Sequence, residues 1–117
     1  MGGKVLTAVF ELAGQRFMAL DGGPLFKFTE AVSLSVECAD QEEVDHFWQK
    51  LSAVPEAEQC GWLKDKFGLS WQIVPRVLDK MMSDKDPAKS KRVQEAFLAM
   101  KKFDIAGLER AYKGDQP

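Results

Sequence analysis

The sequence holds few of the residues that usually carry nucleophilic catalysis, metal binding or disulfide bonds. Its 117 residues include one histidine and two cysteines. Two cysteines make no disulfide framework, and Cys38 and Cys60 both lie in apolar, strand-like segments that predict small buried thiols. His46 lies in a predicted helix, and we interpret it as a solvated or half-buried helix residue rather than a metal ligand. These features favour a reduced protein of the cytoplasm.

The sequence also lacks an excess of charge and a long apolar run. Its net charge is −2 at pH 7, whereas a protein that binds nucleic acid usually carries a basic surface. No apolar stretch approaches the length needed to cross a bilayer, and the first residues show no signal-peptide pattern. The sequence therefore predicts neither a nucleic-acid partner nor a membrane partner.

What the chain does have is enough apolar residues for one core. Hydrophobic residues make up 45% of it, so length and composition predict a single domain. The clearest local pattern covers residues 59–75, which read as two strands joined by an Asp-x-x-Gly turn. In such a turn Asp65 accepts a hydrogen bond from the backbone two residues later, and Gly68 adopts a positive φ without strain.

The second half of that pattern has a weaker copy near the start of the chain. Residues 14–20 share with residues 68–74 a turn glycine, an aromatic residue three positions later and an apolar end. We predict a strand over residues 5–12 before this turn and a returning strand over 15–20. A half-repeat of this kind predicts a fold built from two similar modules.

Between these patterns the sequence predicts a strand over residues 31–38 and then a helix. Polar and apolar side chains alternate along the strand. Its apolar face holds Val32, Leu34, Val36 and Cys38, and its polar face holds Ser33, Ser35 and Glu37. The helix begins after Asp40, with Glu43 placed to complete a capping box. Its buried stripe is predicted to be Val44, Phe47, Trp48 and Leu51.

Residues 76–114 predict three helices. The second begins at Asp86 and Pro87, because proline at the first helical position lacks only a donor that would be unpaired there. The third runs from Asp104 to Gly114, and glycine is a common residue at the end of a helix.

Three segments resemble a known family. Residues 17–28, 41–51 and 59–75 closely resemble the PhnB-like proteins, whose domains are often labelled "3-demethylubiquinone-9 3-methyltransferase" and which belong to the vicinal oxygen chelate, or glyoxalase/bleomycin-resistance, superfamily. The most specific segments are Cys-Gly-Trp-Leu-Lys-Asp-Lys-Phe-Gly and Ser-Trp-Gln-Ile-Val-Pro. The resemblance runs from about Val5 to the end of the chain.

The resemblance implies an α+β fold in which βαβββ modules pair and curl around a pocket. It divides the single domain, residues 1–117, into a partial first module at 5–24, a complete second module at 31–75 and C-terminal helices at 76–114. The first module is truncated to a hairpin, which leaves a sheet edge and an apolar face uncovered. We therefore expect a homodimer that covers both, by strand or module exchange.

The resemblance also implies which positions would hold a metal ion. Metal-dependent members of the superfamily hold a divalent cation through one ligand early in each module and a glutamate in its last strand. At these positions the chain has Ser33, Gln72 and Met18, which are weak ligands, so we predict no metal site. Gly22 and Gly23 precede Pro24 and no helix, unlike a cofactor-binding glycine motif. We predict no cofactor and no catalytic residue, and the sequence does not support the methyltransferase label.

A binding groove is the remaining prediction. The residues whose strand positions put them on the concave face are Met18, Ser33, Ser35, Glu37, Trp62 and Gln72. A carboxylate beside an aromatic side chain suits a small aromatic or cationic ligand. Trp48 is expected in the core, whereas Trp62 and Trp71 fit the core and the groove equally. Glu37 also fits the rim of the groove, and Lys64, Asp65 and Lys66 are expected at the surface of a turn.

Three functions stay open at this point. The first, which the residues favour, is a protein that binds a small molecule in a metal-free groove. The second is a metal-dependent lyase, isomerase or dioxygenase of the same superfamily. The third is a non-catalytic, dimerising relative without a working pocket.

Overall fold

The computed structural model describes residues 7–114, which form an α+β fold with two small sheets and four helices. This confirms the predicted α+β class. None of the helices within this range is long and apolar enough to cross a membrane. In chain order the elements are β1 (Thr7–Leu12), β2 (Gln15–Leu20), β3 (Ser33–Cys38), α1 (Gln41–Leu51), a 3-10 turn (Pro55–Ala57), β4 (Trp62–Lys64), β5 (Ser70–Pro75), α2 (Arg76–Met82), α3 (Pro87–Leu98) and α4 (Ile105–Lys113).

The first sheet is the predicted hairpin, β1 paired antiparallel with β2. Ala13 and Gly14 both have positive φ, 51° and 79°, as a two-residue hairpin turn requires. Phe10 lies opposite Phe17, and their rings stack with centroids 5.6 Å apart. The first two residues of the predicted strand 5–12 lie outside the described residues.

The second sheet has the order β3-β5-β4, with β3 parallel and β4 antiparallel to β5. The parallel pair needs a crossover connection, which α1 provides. The strand predicted from residue 31 begins at Ser33 instead. Thr29 explains the difference, because its carbonyl accepts from the Val32 amide and its hydroxyl accepts from the Ala31 amide. These bonds form a turn that leaves Val32 64% exposed.

The first core lies between α1 and one face of the second sheet. Its buried side chains are Cys38, Val44, Leu63 and Ile73, and the predicted helix stripe packs around them. The cap of α1 is the predicted one, since the Asp40 carboxylate accepts from the Glu43 amide at 2.9 Å. Glu43 in turn accepts from the Ala39 amide at 2.7 Å.

The turn between β4 and β5 is less exposed than predicted. Asp65 is only 9% exposed, so its assignment to the surface is wrong. Its carboxylate accepts from the amides of Phe67 and Leu69 and from the indole nitrogen of Trp71, at 2.9–3.0 Å. These three donors satisfy the buried charge. The predicted hydrogen bond from the Phe67 amide to the Asp65 carboxylate is present, and so is the predicted positive φ of Gly68, 88°.

A second core joins the three C-terminal helices. Its buried side chains are Leu78, Met81, Val93, Phe103 and Leu108. The helices are attached to the sheet at Cys60 and Gly61, whose amides donate to the carbonyls of Met100 and Lys101 at 2.7 and 2.8 Å. A Cβ on Gly61 would lie 2.5 Å from the Phe103 ring, so only glycine permits this approach.

The hairpin lies largely apart from both cores. All of its strand residues are exposed except Phe17, which is half-buried. The radius of gyration is 17.3 Å, against about 13 Å for a compact domain of this length. The molecule is accordingly elongated, with extents of 60 × 30 × 23 Å.

Candidate functional site

The face of the second sheet that points away from α1 is polar. Strand register places Ser35, Gln72 and Trp62 in one row across β3, β5 and β4. Directly opposite residues of neighbouring strands point to the same side of a sheet. Five of the six predicted groove residues therefore share this face: Ser33, Ser35, Glu37, Trp62 and Gln72.

Met18 is not brought to this face. It lies on β2 opposite Val9 and is 69% exposed. The prediction grouped it with the others because Met18 and Gln72 occupy equivalent positions in the half-repeat. Within one chain the hairpin does not pack against the polar face, so Met18 lies away from Gln72.

A cavity of about 380 Å³ opens on the polar face, and we call it the sheet-face groove. One wall is the sheet, and the other is formed by α2, α3 and the connection between α3 and α4. Its lining residues are Ser35, Glu37, Cys60, Trp62, Gln72, Val74, Leu78, Asp79, Phe97 and Phe103. Four of the predicted residues line it, whereas Ser33 lies one row beyond.

Ser33 instead orients a groove residue. The Gln72 side-chain nitrogen donates to the Ser33 hydroxyl at 2.9 Å. This bond uses one of the two N–H donors of the amide, and the Gln72 side-chain oxygen accepts no hydrogen bond from the described residues. The groove wall therefore offers a fixed carbonyl beside the Ser35 hydroxyl, which is both donor and acceptor.

Glu37 is already paired. Its carboxylate accepts from the Arg76 side chain at 2.7 Å, joining β3 to the first residue of α2. The hydrogen bond and charge of Glu37 raise the pKa of Arg76 above its ordinary value. Both side chains are more than half exposed, so solvent screens the pair and it adds little stability.

Asp79 is the second carboxylate of the groove. It lies one turn along α2 from Arg76 and is exposed. Among residues 7–114 its side chain makes neither an ion pair nor a hydrogen bond. The lining thus has two carboxylates and no basic side chain, and only one of those carboxylates is neutralised.

Aromatic side chains form the apolar part of the groove. Phe97 and Phe103 meet edge to face, with ring centroids 5.9 Å apart and planes at 78°. Trp62 is half-buried on the sheet wall. Trp71 packs instead against the first core, and Trp48 packs there too, as expected. Trp62 and Trp71 lie on opposite faces of the sheet, so Trp62 lines the groove and Trp71 packs against the core.

The two cysteines differ in environment. Cys38 is fully buried, and burial, followed by the charges of Glu43 and Asp40, raises its pKa to about 11. Cys60 is half-buried and lines the groove, so the expectation of a buried thiol is wrong for it. The reason is that Cys60 lies in a turn with φ of 38° rather than in a strand. His46 is on α1, on the far side of the sheet, so the structure does not pair it with Cys60.

A model of the family described as 3-demethylubiquinone-9 3-methyltransferase matches residues 1–74. The chain belongs to this family. A search of curated proteins found no match. The match to the 3-demethylubiquinone-9 3-methyltransferase family covers both hairpins and α1 but ends before α2. Asp79 on α2, Phe97 on α3 and Phe103 in the connection after α3 therefore lie outside the matched range.

The glycine pair does not begin a helix. Gly22 and Gly23 lie in a loop where the Asp21 carboxylate accepts from the Gly23 amide at 3.0 Å, and the next helix is α1. Two of the positions that the resemblance assigns to metal ligands, Ser33 and Gln72, are hydrogen-bonded to each other. Within residues 7–114, no group of three or more histidine, cysteine or acidic side chains is arranged to hold a metal ion.

Sequence reasoning missed the helical wall of the groove. Local patterns predicted the three C-terminal helices but not where they pack. One signal was available: Gly61 follows Cys60 in the most specific segment, and a glycine in that position often permits close contact with another element. That contact, with Phe103, brings the helices to the groove.

Proposed function

We propose that this family member binds a small organic molecule in the sheet-face groove without a metal and without changing the ligand chemically. The observation that carries this proposal is the composition of the groove: aromatic side chains on one wall and fixed polar groups on the other. Its volume of about 380 Å³ falls within the roughly 300–1,000 Å³ typical of small-molecule sites.

The lining favours an aromatic or cationic ligand. Trp62 and Phe97 offer ring faces for stacking, and a cation gains further from contact with such a face. Ser35 and Gln72 offer hydrogen bonds that fix orientation. The groove holds no paired nucleophile and base, which is why we propose binding rather than catalysis.

Thermal-shift and calorimetric titrations with a panel of aromatic and aromatic-cation compounds test the proposal. A ligand selective for the native state raises its apparent stability. We expect Trp62→Ala to remove most of the shift, because it deletes one aromatic surface. Phe67→Ala is the matched control, since Phe67 is 72% exposed and lies outside the groove.

Two results would contradict the proposal in different ways. Stoichiometric Mg, Mn, Fe, Ni or Zn in the purified protein would favour the metal-dependent enzyme. The absence of any shift across the panel, with a structure in which side chains fill the groove, would favour the relative without a working pocket.

We also propose that the hairpin is the counterpart of β4 and β5, as one module of a pair. Both are antiparallel pairs whose turn glycine has a positive φ, 79° at Gly14 and 88° at Gly68. In both, the second strand is six residues long and its aromatic residue, Phe17 or Trp71, lies three positions after the turn glycine. By this correspondence Phe17 belongs to a covered face and Met18 to an open one.

A homodimer is the proposed means of covering the hairpin. A two-stranded sheet is only marginally stable by itself in water, and this one exposes Val9, Phe10, Leu12, Met18 and Leu20. A largely apolar cavity of about 680 Å³ separates its tip from the first core. A second copy that fills this gap would bury these side chains, and Met18 would reach a groove only through such an assembly.

Light scattering during size-exclusion chromatography tests the dimer. We expect the mass of two chains at micromolar concentration. Phe10→Lys, which puts a charge on the stacked pair of the hairpin, is expected to give one chain. Phe67→Lys is the control for an added charge on an exposed aromatic position. A wild-type mass of one chain would refute the dimer without affecting the groove.

A further inference from the structure

We propose that Asp79 makes the sheet-face groove selective for an organic ligand with one positive charge, an inference that rests on the proposed binding function. The class of ligand is an aromatic compound that carries one positive charge on a protonated or N-alkylated nitrogen. Asp79 is the anchoring residue for the charge, and the aromatic wall holds the ring.

The first step of the argument is the charge of the groove. Its lining includes Glu37 and Asp79 and no lysine, arginine or histidine. Arg76 at the rim neutralises Glu37 through their 2.7 Å contact. Asp79 is the remaining charge, so the lining attracts a single cation and repels an anion.

The second step is the surroundings of Asp79. Apart from Glu37, the groups that line the groove with Asp79 are uncharged, among them Ser35 and Gln72 from the sheet, Phe97 from α3 and Phe103 from the connection that follows it. A cation bound at Asp79 therefore lies near aromatic rings, which attract it further. An aromatic cation satisfies both features at once, whereas a simple alkylammonium ion uses only the carboxylate.

The third step excludes a metal ion as the cation. Calcium takes six to eight oxygen ligands, and zinc takes three or four ligands that are mainly histidine or cysteine side chains. Here one of the two carboxylates is bonded to Arg76, and no third acidic side chain lines the groove. The donor set thus suits an organic monocation better than a hard divalent ion.

The test compares N-methylquinolinium with quinoline, which has nearly the same shape and is uncharged at neutral pH. We expect the wild-type protein to bind the cation more tightly, as measured by calorimetry. In Asp79→Asn, the affinity for N-methylquinolinium should fall about fivefold, the size of an exposed ion pair, while the affinity for quinoline should not change. Asp79→Glu should retain the preference for the cation.

Glu42→Gln is the matched control, because Glu42 is an exposed carboxylate on α1, on the other side of the sheet. Its affinities should equal those of the wild type. If the wild type binds both compounds equally, or if Asp79→Asn weakens both equally, the inference about Asp79 is wrong and the proposed groove stands. If neither compound binds the wild type at millimolar concentration, the proposed function fails and this inference fails with it.

Discussion

Replacing Gly61 by alanine tests how the C-terminal helices are attached to the sheet. Gly61 has φ of 87°, and an added Cβ would lie 2.5 Å from Cε2 of Phe103. Phe103 is 2% exposed and belongs to the second core, so moving its ring away from an added Cβ would disturb the packing there. The substitution therefore combines an unfavourable backbone conformation with a steric overlap.

The two contributions can be separated by a matched variant. Gly68 has nearly the same φ, 88°, but an added Cβ there meets no atom within 4 Å. Gly68→Ala should cost only the left-handed conformation, about 1–2 kcal/mol. Gly61→Ala should cost that amount plus the overlap, which adds about 1–3 kcal/mol.

Urea denaturation followed by circular dichroism measures the difference. We expect Gly61→Ala to be about 2 kcal/mol less stable than Gly68→Ala, which lowers the denaturation midpoint by roughly 1 M urea. Gly61→Ala should also weaken binding in the groove, because Phe103 lines it. Equal stabilities of the two variants would refute the claim that the Phe103 contact fixes the helices.

Three further predictions concern single side chains. Asp65→Ala removes the acceptor of three hydrogen bonds and should lower the free energy of unfolding by about 2–4 kcal/mol; a change within 0.5 kcal/mol, the ordinary range for a surface substitution, would contradict its structural role. The hydrogen bond from Tyr112, followed by that from the Asp86 amide, lowers the pKa of the Asp84 carboxyl group. The contribution of Asp84 to stability is therefore fully present above the ordinary carboxyl pKa and is lost as the pH falls through the lowered pKa. The stability difference between wild type and Tyr112→Phe should therefore shrink below about pH 4 in acid titrations, and a difference independent of pH would contradict this. Maleimide should label the native protein at half-buried Cys60 and not at buried Cys38, so mass spectrometry of Cys60→Ser should find no label, and labelling of Cys38 in the native state would be contrary evidence.

Local features of the fold were predictable from the sequence. The α1 cap depends on Asp40 and Glu43, which are three residues apart, and the β4–β5 turn depends on Asp65 and Gly68. Each arises from hydrogen bonds and dihedral angles of neighbouring residues, which sequence spacing specifies. The alternation along β3 likewise predicted which side chains would share the polar face.

Features that depend on distant contacts were not predictable in this way. The sequence predicts Asp65 at the surface of a turn, whereas its burial depends on the indole of Trp71 across that turn. Asp79 and Phe97 lie on helices whose position is decided by the approach of Phe103 to Gly61. The location of Met18 depends on how the hairpin packs against the rest of the protein. The alternation of side chains along β2 does not specify that packing.

The central claim is that a small organic ligand occupies the sheet-face groove, and the indole N–H resonances of the three tryptophans test it most directly. Trp48 donates its indole N–H to Glu58 and Trp71 donates to Asp65, whereas Trp62 lines the groove. On titration with N-methylquinolinium, we expect the Trp62 resonance to move and the other two to stay. Movement of Trp48 or Trp71 with Trp62 unchanged, or no movement at saturating ligand, would contradict the account.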